Sequence, residues 1–171
     1  MQTGIQFSER PEPPRASPDW LAAWRAYLLT VAVGHLLWET AQLPLYTIWR
    51  TGTPGENLFA AVHCTGGDLL IALASLTIGL TLAGHRDWPV RRFVMVAAVT
   101  LAIGFSYTIF SEWLNVAVRK NWAYSNLMPV LSVFGLKLGV SPLLQWAVIP
   151  TLALHAARRA GMTRTTGPES A

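Results

Sequence analysis

His35 and Glu39 stand four residues apart in an apolar run, which puts them on one face of a helix. Gln42 and Tyr46 continue the stripe, flanked by Leu36 and Leu43. An imidazole beside a carboxylate can pass a proton as general acid and base. It can equally be a hydrogen-bonded pair between helices. Two more acids, Asp68 and Glu112, and a second imidazole, His63, also fall in apolar segments. An Asp, Arg or Lys near mid-bilayer costs about 2.5–3.5 kcal/mol on insertion scales, so such groups normally face a bundle interior or water. Groups whose charged forms are penalised by water exclusion are suited to acid–base work.

Each residue also has a plainer reading. Asp68 can answer the dipole at a helix N-terminus. Glu112 can snorkel to the interface from the end of its helix, or line a cavity with Thr108 and Asn115 on its face. In His63-Cys64-Thr65-Gly66-Gly67-Asp68, the glycines allow close helix approach. His63 and Cys64 could bind a metal, but adjacent ligands on a helix diverge and no CxxC or HExxH spacing is present. Cys64 is otherwise a small core residue. Trp38 and Trp146 are packing or lipid-facing residues, or walls that stack on an apolar or cationic ligand. His85 and His155 are assigned no role beyond the interface.

The elements that position these groups follow from the apolar runs. Of 171 residues, 52% are hydrophobic and 13% charged, against about 25% charged in a soluble domain. Charges gather in the first 25 residues, in short loops and in the last 14. Four spans are expected at about 21–49, 58–83, 93–116 and 140–157, long enough to cross a hydrocarbon layer of about 30 Å. This excludes a soluble enzyme, a disordered chain and, with Cys64 alone, a disulfide scaffold. The net charge of +4 comes from Arg at loop edges, which fits membrane orientation better than nucleic-acid binding.

The fold class expected is all-α, an integral membrane four-helix bundle. The N-terminal tail, second loop and C-terminal tail hold nine Arg, and the other two loops hold four Arg and Lys, so both termini should be cytoplasmic. Trp20, Trp24, Trp49, Trp88, Trp113 and Trp122 fall at span ends like an aromatic belt. The chain divides into an N-terminal tail (1–20), a transmembrane domain (21–158) and a C-terminal tail (159–171). Both tails read as disordered, and no cleaved leader is expected. Pro44 and Pro150 should disturb the first and fourth helices, Ser141 should cap the fourth, and 51–57 and 117–139 should be loops. The polar groups then all lie in the outer halves of the spans, as in a cavity opening outward or laterally.

The order of short motifs resembles the EXPERA-domain superfamily, typified by the emopamil-binding sterol Δ8–Δ7 isomerase. His35-Leu36-Leu37-Trp38-Glu39 fits its His-Leu-x-x-Glu, and Asp68 could supply its second-helix acid. Ser111-Glu112 resembles its Thr-Glu, and Trp146-Ala147-Val148-Ile149-Pro150 fits its Trp-x-x-x-Pro. The family's Asn three residues before that Trp is here Leu143, with Gln145 nearby. Its second-helix acid is Glu, and its first loop motif is absent or shortened. The resemblance covers about 34–154. It implies protonation of an alkene and loss of a proton elsewhere, with aromatic faces shielding a carbocation. Trp38-Glu39 and Trp122-x-Tyr124 also resemble, in style, small membrane terpene and carotenoid cyclases.

The expectation is therefore a cofactor-independent isomerase or cyclase in a bacterial inner membrane, acting on a lipophilic isoprenoid or sterol-like substrate. His35, Glu39, Asp68 and Glu112 are its candidate catalytic residues. Trp38, Gln42, Tyr107, Gln145 and Trp146 are its candidate substrate-binding residues. No metal site, cofactor or nucleic acid is expected; the partners are the bilayer, a lipophilic ligand and, as an open alternative, a second copy. The competing reading is a non-catalytic lipid- or metal-binding protein, or a subunit of a larger membrane complex.

Overall fold

Asp19 starts the first helix by accepting the Ala22 N–H at 2.9 Å, and α1 then runs Trp20–Gln42. The helix stops there because Pro44 has no N–H to continue the ladder. The chain tightens into a 3-10 turn, Leu43–Leu45, becomes extended at Tyr46, and makes one further turn, α2, Ile48–Thr51. The span expected to reach Trp49 is therefore broken after Gln42. Thr53, Pro54 and Glu56 form a complete capping box, with Thr53 N to Glu56 Oε2 at 2.7 Å. This box starts α3, Pro54–Ala83, four residues before the expected start and inside the expected loop.

After a short turn, α4 runs Phe93–Glu112 and continues as a π-helical segment, Trp113–Val118. The region expected to be a loop holds an antiparallel hairpin, β1 (Val130–Val133) and β2 (Leu136–Gly139), with Val130 opposite Gly139. The last helix, α5, spans Val140–Met162 and continues through Pro150. The computed structural model describes residues 17–133 and 135–162. Most of both expected tails, 1–16 and 163–171, lies outside the described residues; within them Trp20 and 159–162 are helical.

The protein is an all-α, four-helix membrane protein: the segments Trp20–Leu45, Pro54–Ala83, Phe93–Val118 and Val140–Met162 are each long and apolar enough to cross a bilayer. The helices alternate in direction, so the described ends meet, with Asp19 N donating to Gly161 O at 3.1 Å. The core near this end contains Ala23, Tyr27, Trp88, Leu154 and Ala157. Trp88, assigned above to an aromatic belt, is fully buried and packs on Trp20 with ring centroids 5.3 Å apart. The turn between α3 and α4 folds it inward, which a count of span ends does not reveal.

Two close approaches set the far end. A Cβ on Gly34 would lie 2.8 Å from Ile149 Cγ2, so α1 and α5 meet side by side beneath His35 and Gln145. A Cβ on Gly104 would overlap the Trp146 ring, so α4 yields its surface to that indole. Over this end lies a cap formed by 119–133 and 135–139. Thr47 N donates to Ala123 O at 2.9 Å and Ser125 N to Leu45 O at 2.8 Å, which pins the cap to the broken end of α1.

Candidate functional site

The close packing of α1 and α5 brings the Gln145 amide into the stripe of α1. Gln145 Nε2 lies 2.8 Å from His35 Nδ1, 2.9 Å from Glu39 Oε1 and 3.1 Å from Asp68 Oδ2. Three helices thus converge on one nitrogen, and the two carboxylates lie within about 6 Å of each other. Asp68 Oδ2 is also 3.0 Å from His35 Nδ1, while its Oδ1 accepts the Trp146 indole N–H at 3.1 Å. The imidazole and the Trp146 ring are 5.4 Å apart between centroids. His35 and Gln145 are fully buried.

His35 Nδ1 can accept an amide hydrogen of Gln145 or, when it carries the proton, donate to Asp68 Oδ2. His35 Nε2 is buried with no hydrogen-bond partner, so a proton there would be unsatisfied.

A cavity of about 760 Å³ adjoins this cluster. Glu39, Gln42, Asp68, Gln145 and Trp146 line it at one end. Phe59, Leu70 and Tyr107 line it from α3 and α4 and are themselves exposed, so it reaches the outer surface of the bundle. Two expected site residues lie elsewhere. His35 is behind the wall, and Trp38 turns its indole N–H to Ser141 Oγ at 3.1 Å. Ser141, expected as a helix cap, in turn donates to Gln42 Oε1 at 2.8 Å. His63 and Cys64 line the cavity; His63 is exposed and stacks on Phe59 at 5.3 Å. No group of three or more His, Cys, Asp or Glu able to hold a metal ion occurs among the described residues.

Glu112 also lines the cavity, but in a different setting. It accepts the Tyr124 hydroxyl proton, and the same hydroxyl oxygen accepts Gly139 N–H at 2.8 Å. Tyr124 pairs with Tyr46 as an isolated bridge, with ring centroids 5.8 Å apart. Burial, then the bond to Glu112, pushes the Tyr124 phenol above its ordinary range. Tyr46 is raised too, by burial and then by the nearby Glu112 and Glu39 carboxylates. Both phenols therefore remain protonated across the neutral range.

The roles of Tyr124 and Ser141 are the residues' main surprise. Tyr46 was visible as the last member of the α1 stripe and Tyr124 as part of Trp122-x-Tyr124. Neither pattern indicates that they meet, because the contact crosses an irregular segment. Comparison with known protein families, curated proteins and solved structures finds no match for this chain.

Proposed function

We propose that this membrane protein is an intramembrane acid–base isomerase or cyclase for a lipophilic isoprenoid or sterol-like substrate, working without a cofactor in the manner of the EXPERA superfamily. The observation that carries the reading is the His35–Gln145–Glu39–Asp68 cluster at the wall of a cavity that reaches the lipid-facing surface. Asp68 and Glu39 are the groups that can touch substrate, whereas His35 holds a proton behind them. In one turnover the carboxyl of Glu39 gives its proton to one alkene carbon, leaving a cation on the other. Asp68 then takes a proton from a neighbouring C–H, whose electron pair forms the new double bond. The proton returns from Asp68 to Glu39, with which it is hydrogen-bonded, and His35 Nδ1, 3.0 Å from Asp68 Oδ2, can hold it on the way. The Trp146 face and the two carboxylates offset the transient positive charge in a site sheltered from water.

The reading places the protein in a bacterial inner membrane with both termini cytoplasmic and the cavity in the outer leaflet. Substrate enters sideways past Phe59, Leu70 and Tyr107. The test is a turnover assay in deuterated water with candidate isoprenoids and sterols, the protein being held in lipid nanodiscs. Deuterium incorporated at an allylic carbon supports proton transfer, with loss in Asp68→Asn and Glu39→Gln. Copurified lipid that is bound but never labelled or rearranged would favour a carrier.

A further inference from the structure

The chemistry proposed for the cluster needs the Gln145 amide to face it nitrogen first. Its oxygen in that place would confront two carboxylates and remove the donor they share. The polarity of the surrounding hydrogen bonds fixes the choice. An indole N–H donates and never accepts. Trp38 Nε1 donates to Ser141 Oγ at 3.1 Å, and Ser141 gives its single proton to Gln42 Oε1 at 2.8 Å. With its oxygen engaged, Gln42 presents Nε2 to Glu39 Oε1 at 2.9 Å and to Gln145 Oε1 at 3.3 Å. The Gln145 oxygen is then an acceptor, and its nitrogen is left for His35, Glu39 and Asp68. Reversing either amide would set oxygen against carboxylate or acceptor against acceptor.

We propose that Trp38 and Ser141 are positioning residues, the origin of a one-way hydrogen-bond chain through Gln42 that locks the Gln145 amide towards the acid–base cluster. Its catalytic purpose rests on the function proposed above; its geometry does not. Neither Trp38 nor Ser141 lines the cavity, so neither acts by touching substrate. Both lie between α1 and α5, whose contact at Gly34 and Ile149 holds the chain at bonding distance. Glu39 Oε1 gains a second donor from the arrangement, receiving N–H from both amides. Any proton taken up by Glu39 is thereby directed to its other oxygen.

The chain can be tested without a substrate. Protein with glutamine side-chain and histidine 15N labels, in lipid nanodiscs, gives a single Gln145 carboxamide signal and one His35 imidazole pattern. Ser141→Ala removes the donor to Gln42. The expected result is a doubled or exchange-broadened Gln145 signal and a displaced His35 pattern. Ser141→Thr keeps the hydroxyl and restores both. Trp38→Phe leaves Ser141 free to rotate and gives a smaller change in the same direction. Unchanged Gln145 and His35 signals in Trp38→Phe and Ser141→Ala overturn the proposal; should Ser141→Ala fail to fold, the Trp38→Phe and Ser141→Thr pair decides it. With an identified substrate, Ser141→Ala lowers kcat by about tenfold to a hundredfold at unchanged KM, and Ser141→Thr recovers it. A wild-type protein inert towards every isoprenoid would refute the enzyme reading while the resonance result still stands.

Discussion

The cavity has acids at two ends, and they are held in different ways. At one end Glu39 and Asp68 take their donors, Gln42, Gln145 and Trp146, from helices packed against one another. At the other, Glu112 takes its donor from Tyr124, in the cap between α4 and α5. The first end has an imidazole whose Nδ1 can accept from Gln145 or donate to Asp68. Tyr124 offers Glu112 no such exchange, because its phenol stays protonated at neutral pH. The contrast separates a hydrogen-bonded cluster on packed helices from a carboxylate that fastens a cap. Glu112, also a candidate catalytic acid, anchors Tyr124, whose hydroxyl accepts Gly139 N–H at the start of α5.

The contrast breaks most visibly at the hub. Gln145→Leu leaves His35, Glu39 and Asp68 without their shared donor. Turnover of an identified substrate should fall by about 10²–10⁴-fold, the usual worth of a positioned acid or base. Matched variants sharpen the comparison: Glu39→Gln should approach that loss, whereas Glu112→Gln should cost less than about tenfold, well below that worth. Equal losses at the two acids would erase the distinction. Gly104→Ala pushes a methyl into the Trp146 ring. Chemical denaturation in nanodiscs should show about 1–3 kcal/mol of destabilisation, typical of overpacking. Tyr124→Phe should cost about 1 kcal/mol, the net worth of an ordinary hydrogen bond, and loosen the cap in hydrogen exchange. The smallest effect is one of pH. A phenol raised in the folded state contributes stability in full below the ordinary tyrosine pKa of about 10 and loses it as pH rises beyond that. Melting temperatures should therefore drop above about pH 10, and less steeply in Tyr124→Phe.

Much of this was written in the linear chain. Apolar length marked four spans because no soluble fold tolerates such runs, and the capping box before α3 stands in Thr53-Pro54-Gly55-Glu56, although it was read as loop. The i, i+4 stripe from His35 to Tyr46 was legible because helical geometry fixes which residues share a face. The stripe did not reveal which neighbour it meets. Trp38 and Glu39 are consecutive, yet one turns to Ser141 and the other to Gln145. Ser141 carries the local marks of a cap and acts as a hydrogen-bond relay between helices. Trp88 carries the marks of an interfacial tryptophan and is buried.

Local periodicity, charge placement and proline chemistry act within a few residues, so they define helices, their ends and their polar faces one segment at a time. The rotation of each helix about its axis, the folding of 119–133 and 135–139 over the cavity and the meeting of Gln145 with His35, Glu39 and Asp68 involve residues up to 110 positions apart. These depend on which surfaces can approach closely, at Gly34 and Gly104 above all, and on satisfying every polar group together where water cannot.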